Sequence, residues 1–112
     1  MWQVLQYLAL VGPDDLTFTG PTTTVEAGNV ATLACSSTGG MPPPNVTIAK
    51  QDGTVLISGL SPQEFDYRPG GESAEERFLC TSKNAAGILS DTVTVNVVGK
   101  QYKLALNQLH VC

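Results

Sequence analysis

Two segments of the sequence, residues 31–35 (ATLAC) and residues 78–82 (FLCTS), decide the fold of this chain. Each segment has apolar or small side chains at every second position, and each contains a cysteine in that series. Successive side chains of a β-strand point to opposite faces, so this spacing predicts two strands, each with its cysteine on an apolar face. The residues that share a face are Ala31, Leu33 and Cys35 in one strand and Phe78, Cys80 and Ser82 in the other. We therefore expect two sheets whose cysteines face a shared core.

The composition fits one small β domain and excludes some functions. The chain has 112 residues, of which 11 are Gly and 7 are Pro, and only 14% are charged. This length gives one domain with a modest core, and the turn residues are typical of short strands joined by tight turns. The formal net charge is -4 and the six basic residues are scattered. Nucleic-acid binding requires clustered Lys and Arg, so we expect no nucleic-acid partner.

Short alternating runs separated by turn residues continue along the chain. Asp52-Gly53 between two such runs is a strong hairpin signal. The connection at 68–76 is polar and has room for a helical turn at 73–76. Seven or eight short strands predict an antiparallel β-sandwich of two sheets. The predicted strands are 16–18 with a continuation at 22–25, 30–36, 45–50, 54–57, 64–67, 77–82 and 88–98.

The breaker cluster at residues 12–15 (GPDD) predicts the domain boundary. We expect a leader or upstream remnant at 1–13, the domain at 14–98 and a linker or tail at 99–112. Residues 1–12 have three open interpretations: an atypical signal peptide, the end of a preceding domain, or a strand of this domain. The segment is too short to span a bilayer, so we expect no direct membrane span in this chain.

From about residue 25 to residue 98 the chain resembles an immunoglobulin domain of the intermediate or C2-like kind. Four pieces carry the resemblance. Residues 26–35 lead into the first cysteine like the family's second strand, and residues 42–53 (PPPNVTIAKQDG) resemble the family's "PPP-x-V-x-W-x-K-D-G". Residues 78–87 (FLCTSKNAAG) resemble "Y-x-C-x-A-x-N-x-x-G", and the long Thr/Val run at 88–98 closes the domain.

The resemblance implies a Greek-key sandwich with a Cys35–Cys80 disulfide and a core built on Leu33, Ile48 and Phe78. Two residues depart from the family pattern. Ile48 stands where the family usually has Trp, and Phe78 stands where it usually has the tyrosine whose hydroxyl bonds the backbone. We therefore expect the domain to depend more than usual on its disulfide. The alternative for the cysteines is a pair of buried free thiols.

The implied function is a non-catalytic extracellular or cell-surface module for adhesion or recognition, or a spacer in a tandem array beside neighbouring immunoglobulin domains. The alternative is an intracellular, muscle-type structural domain with free thiols. The protein partner, homophilic or heterophilic, is not specified by the residues. Two surfaces are candidates for binding. They are an outer sheet face with Thr47, Ala49, Thr81 and Lys83, and a loop end formed by residues 37–44 and 84–87.

Asn45-Val46-Thr47 is an N-glycosylation sequon, which we expect to be exposed at the start of a strand. Cys112 is the odd cysteine and is a candidate for an intermolecular bridge. The tail around it is also consistent with a linker or with non-native sequence at a fragment end.

We expect neither enzymatic activity nor a metal or other cofactor. His110 is the single histidine and lies beside no evident nucleophile. The carboxylates of Glu72, Glu75 and Glu76 are too few for a calcium site, which usually takes six or more oxygens, and we interpret them as a solvated rim.

Overall fold

The computed structural model describes residues 10–70 and 74–99. Within these residues the chain forms β-strands joined by turns and short loops, with no helix. The fold class predicted from the alternating pattern, an all-β sandwich, is confirmed. The strands are β1 (Asp15–Thr19), β2 (Val25–Glu26), β3 (Ala31–Thr38), β4 (Asn45–Lys50), β5 (Val55–Leu60), β6 (Gln63–Tyr67), β7 (Ala74–Asn84) and β8 (Gly87–Val98).

The strands form two sheets, with the orders β1-β3-β6 and β2-β8-β7-β4-β5. All neighbouring strands are antiparallel except β2, which pairs in parallel with β8 through Val25 and Val97. The sequence predicted one edge strand that breaks and continues, but its two parts belong to different sheets. Gly20 lies where the chain changes sheets, and a Cβ there would lie 2.7 Å from Cγ1 of Val93. The close approach explains a glycine at this crossing.

The core lies between the two sheets and is built by the alternating residues of both. Every second residue of β3 from Ala31 to Cys35, and of the middle of β7, is buried, as the period-two pattern predicts. Tyr67, at the end of β6, packs edge to face on Phe78 with ring centroids 4.9 Å apart. The buried apolar residues of the cluster are Phe18, Val25, Ala27, Ala31, Leu33, Cys35, Val46, Ile48, Phe78, Cys80, Val95 and Val97.

Strand β7 begins earlier than the sequence predicts. Residues 74–76 were expected in a polar connection with a helical turn, but they are strand residues. Glu75 lies in register with Asn96, and Glu76 lies in register with Val95 on β8. The long neighbouring strand supplies backbone hydrogen-bond partners, which outweigh the polar character of the segment. Ser73 lies outside the described residues.

The β4–β5 hairpin closes at the predicted Asp-Gly turn. The Gly53 amide donates to the Lys50 carbonyl over 2.9 Å, and the Lys50 amide donates to the Thr54 carbonyl over 2.9 Å. Gly53 has a φ of 98°, a left-handed conformation that glycine adopts without steric cost. β5 then continues to Leu60, three residues beyond the predicted strand end.

Candidate binding surfaces

The two cysteines that organise the sequence pattern form a disulfide between the sheets. Cys35 on β3 and Cys80 on β7 have their Cα atoms 6.6 Å apart and are 45 positions apart in sequence. Their exposed fractions are 1% and 0%. Because the bond lies in the core and joins β3 in one sheet to β7 in the other, it cross-links the sandwich.

The three residues predicted to form the core around the disulfide, Leu33, Ile48 and Phe78, are all 0% exposed. Ile48 lies directly beside Cys80 in the β4–β7 register. The side chain that packs on Phe78 from β6 is Tyr67, which the sequence did not assign to this position. The ammonium group of Lys50 lies 5.7 Å from the centroid of the same Tyr67 ring, a cation–π distance.

The first candidate surface is the outer face of the five-stranded sheet, where side chains from β5, β4, β7 and β8 form cross-strand rows. One row contains Leu60, Asn45, Lys83 and Ile88. The next row contains the hydroxyl side chains of Ser58, Thr47, Thr81 and Ser90. In that row the hydroxyl groups of Thr47 and Ser58 are 2.8 Å apart and share a hydrogen bond.

Of the four residues predicted on this face, three offer side-chain surface. Thr47 and Thr81 are partly exposed and Lys83 is exposed. Ala49 is only 9% exposed because it lies in register between the larger side chains of Val55 and Leu79. Its small side chain fills the space under these neighbours and adds little to the surface. The sequence pattern gives the direction of a side chain but not how far its neighbours cover it.

The second candidate surface is the loop end that includes residues 37–44 and 84–87. Asn84 organises it: its amide group donates to the carbonyl oxygens of Val11 over 2.7 Å and Pro42 over 2.9 Å. Its amide oxygen accepts hydrogen bonds from the backbone amides of Ala86 and Gly87, both over 3.0 Å. Asn84 thus fixes the β7–β8 turn and holds two other segments against it.

The chain is hydrogen-bonded to the sandwich from Val11 onward. Val11 and Met41 exchange two backbone hydrogen bonds of 2.9 and 2.8 Å. The next residue, Gly12, lies so close to Gly87 that a Cβ on either glycine would be 3.3 Å from the Cα of the other. Val11 precedes the breaker cluster that predicts the boundary and Gly12 is its first residue, and both form part of the loop end.

Three serines form a hydrogen-bonded group between this loop end and the disulfide. The buried Ser82 donates its hydroxyl to that of Ser37 over 2.6 Å. The hydroxyl of Ser61 accepts from the Ser37 amide over 2.9 Å and donates to the Ser37 carbonyl over 3.2 Å. Their hydroxyl groups are engaged with one another and with the backbone, so we assign this group a structural role.

The sequon asparagine, Asn45, is exposed on the outer face of the five-stranded sheet. Its cross-strand neighbours are Leu60 on β5 and Lys83 on β7. Leu60 is 61% exposed and Ile88, at the far end of the same row, is 58% exposed. A glycan on Asn45 would therefore project from a row that has an exposed apolar residue at each end.

The described carboxylates do not form a metal site. In residues 10–70 and 74–99, no group of three or more His, Cys, Asp or Glu side chains is placed to hold a metal ion. Glu75 and Glu76 are on β7. Glu72, His110 and Cys112 lie outside the described residues. None of the described segments is a helix of sufficient length and hydropathy to cross a bilayer.

A groove that the sequence did not predict lies on the outer face of the three-stranded sheet. Its volume is about 470 Å³. The groove has small side chains along β1 and β3 because Thr17 pairs with Ser36 and Thr19 pairs with Ala34. Pro62, Gln63 and Glu64 complete it on the β6 side. Small residues at alternate positions of both strands are the signal that would have located it.

The sequence matches no model of a known protein family and no curated protein sequence.

Proposed function

We propose that this chain is an immunoglobulin-like domain that acts as a non-catalytic extracellular module for protein recognition or adhesion. The observation that carries the proposal is the buried Cys35–Cys80 bond between β3 and β7, which lie in opposite sheets. Antibody-type immunoglobulin domains have an inter-sheet disulfide between their second strand and the strand before the last. Here β1 and β2 are the two parts of the interrupted first strand, so β3 corresponds to the second strand and β7 to the strand before the last.

The order of the strands supports the same assignment. In immunoglobulin domains the first, second, fourth and fifth strands form one sheet, and the third, sixth and seventh form the other. Here β1, β3 and β6 form one sheet and β4, β7 and β8 are adjacent in the other. β5 extends the second sheet, as the added strands of variable-type domains do. One departure is that the chain passes from β5 to β6 with only Ser61 and Pro62 between them, so the usual fourth strand of the smaller sheet is missing.

We assign recognition to the outer face of the five-stranded sheet. Its central row consists of hydroxyl side chains, and three exposed apolar residues, Val55, Leu60 and Ile88, lie around that row. The exposed apolar residues gain by burial in a contact, and the hydroxyl groups can donate and accept hydrogen bonds with a partner. The partner is a protein, and neighbouring immunoglobulin-like domains in a longer chain fit the same proposal.

The proposal is tested by peptide mapping of the protein purified from its native source. An extracellular module should contain the Cys35–Cys80 disulfide, because such bonds persist in oxidising compartments, and should carry a glycan on Asn45. Free thiols together with an unmodified Asn45 would support the intracellular structural alternative instead.

Sequon variants secreted from a eukaryotic host provide the matched control for the glycan. Asn45→Gln and Thr47→Ala each destroy the sequon, whereas Thr47→Ser preserves it and retains the hydroxyl that contacts Ser58. We expect the first two variants to lose the glycan's mass and the third to keep it. If the wild type and all three variants each have the mass calculated from their own sequence, Asn45 is not a glycosylation site.

A further inference from the structure

Strand β5 is a sheet edge without charged side chains. It is the last strand of the five-stranded sheet and pairs within the described residues only with β4. Residues 53–63, which include all of β5, contain no charged side chain. Val55 and Leu60, at its two ends, are 58% and 61% exposed. A sheet edge that is apolar and uncharged is a ready template for pairing with another strand.

The edge strand β1, and the part of β8 before Val97, where β8 has no pairing with β2, each have a carboxylate that binds a backbone amide. On β1, the side chain of Asp15 accepts a hydrogen bond from the Leu16 amide over 2.9 Å. On β8, the side chain of Asp91 accepts a hydrogen bond from the Thr92 amide over 2.8 Å. Each carboxylate occupies a backbone donor and places a negative charge at the edge, which disfavours the approach of another strand.

The edge formed by β6 is also acidic. Glu64 and Asp66 alternate along it and both are exposed. In a symmetric dimer the same residues of the two copies meet. Self-pairing through β1, β6 or the part of β8 that β2 does not cover would therefore bring like carboxylates together, in a chain whose net charge is already -4. At β5 the facing side chains would be apolar or hydroxyl groups, so this cost is absent.

We propose that β5 is a self-association edge, at which two copies of this chain pair antiparallel, β5 to β5, around a two-fold axis. The ten strands of the two larger sheets then form one continuous sheet. The Leu60 carbonyl already accepts a hydrogen bond from the Gln63 side chain over 2.7 Å. Pairing supplies partners to the other backbone groups that face away from β4, and it brings Val55 and Leu60 of both copies out of water. This inference adds to the proposed recognition function and does not depend on it.

A contact through one six-residue strand is small. It falls below the roughly 1,200 Å² that stable, specific complexes bury, so we expect a weak and reversible dimer. The dimer should therefore appear in a concentration series and not at one low concentration. Antiparallel pairing also protects backbone amides, so hydrogen exchange in residues 55–60 should slow as the protein concentration rises.

The experiment is sedimentation equilibrium and hydrogen exchange on the disulfide-bonded chain, produced without glycosylation so that no sugar lies beside Leu60. Val55→Lys places a charge on β5 of both copies and should raise the dimer dissociation constant by about tenfold. Ile88→Lys is the matched control, because Ile88 is on β8 and has the same exposed fraction of 58%. It should leave the dissociation constant unchanged.

A second substitution, Leu60→Lys, repeats the test at the other end of β5. The proposal is overturned if the chain stays monomeric throughout the concentration series. It is also overturned if the hydrogen-exchange protection of residues 55–60 does not change with protein concentration. In that case the β5 edge is either covered within one chain or not covered, and no second copy pairs with it. A dimer that Ile88→Lys weakens as strongly as Val55→Lys would likewise exclude the β5 edge.

Discussion

At the scale of single residues, Asn84 has a role that no other described side chain of the loop end shares. It is the last residue of β7, the strand that contains Cys80, and it hydrogen-bonds groups that are 73 and 42 positions away in sequence. The oxygen and the nitrogen of its side-chain amide have separate structural roles. The amide oxygen caps the β7–β8 turn, and the amide nitrogen binds the Val11 and Pro42 carbonyls. Substitutions that remove the donor alone, or the donor and the acceptor together, can separate these two roles.

We expect Asn84→Ala to lose all four side-chain hydrogen bonds and to lower the free energy of unfolding by up to about 4 kcal/mol, since each lost hydrogen bond costs about 1 kcal/mol. Asn84→Asp keeps the acceptor for the turn but cannot donate to the carbonyls. Hydrogen exchange distinguishes the variants. The Met41 amide, which bonds Val11, should exchange faster in both variants, whereas the Gly87 amide should exchange faster only in Asn84→Ala. Equal protection of Met41 in all three proteins would contradict this role.

The buried positions illustrate what residue patterns can predict. Period-two alternation puts Leu33 and Phe78 on the same faces as the cysteines, whereas the core position of Ile48 was predicted from the family resemblance. Tyr67 was not identified as the neighbour of Phe78, because these residues belong to strands of different sheets that are brought together only by the fold. The burial of Ala49 depends on the size of Val55 and Leu79 on adjacent strands, which a single-strand pattern does not contain.

At the scale of elements, strands with strong local signals were predicted well. The bounds of β4 match the predicted 45–50, where a proline loop precedes the strand and an Asp-Gly turn follows it. β7 was predicted too short because Ala74, Glu75 and Glu76 have little intrinsic preference for strands. Their strand conformation depends on pairing with β8, so tertiary context overrides local propensity there.

The β4–β5 hairpin contains a carboxylate that should make its stability depend on pH. The pKa of Asp52 is lowered from its usual 3.8, first by the hydrogen bond from the Thr54 amide and then by that from the Thr54 side chain. Because the folded pKa is the lower one, ionised Asp52 stabilises the fold above the ordinary pKa. This contribution is lost as the pH falls through the lowered value.

We therefore expect Asp52→Asn to lower the melting temperature slightly at neutral pH, and the difference from wild type to shrink in acid. An NMR titration of the Asp52 carboxyl group measures the shift directly. In a Thr54→Ala variant, which keeps the backbone donor and lacks the hydroxyl, the pKa of Asp52 should be lowered less than in the wild type. A wild-type titration midpoint at or above 3.8 would contradict the assignment.

At the scale of the whole molecule, the two sheets were predictable but the distribution of strands between them was only partly so. The sequence shows that the N-terminal strand is interrupted at Gly20-Pro21, yet not that its two halves pair with different sheets. The change of sheet between the two halves depends on the space beside Val93 at Gly20 and on the parallel pairing of β2 with β8. The candidate surfaces were predicted as general regions. The groove on the smaller sheet and the uncharged β5 edge emerged only once strand neighbours were known.

The disulfide is the covalent link between the two halves of this sandwich, and its contribution can be measured. Closing a loop with a sequence separation of 45 restricts the unfolded chain by about 4 kcal/mol in the loop-entropy model. Small domains have total stabilities of about 5–15 kcal/mol. Ile48 fills less space beside the disulfide than an indole ring would. The bond should therefore supply a large share of the total.

We expect the double variant Cys35→Ala/Cys80→Ala to lower the melting temperature by roughly 15–30 °C, or to prevent folding, as measured by circular dichroism. The double substitution is preferable to a single one because it leaves no unpaired core thiol to react with Cys112. Cys112→Ser is the control and should melt like the wild type, since Cys35 and Cys80 bond each other. Reduced wild type should resemble the double variant. A loss of only a few degrees would show that packing between the sheets, and not the cross-link, holds the two halves together.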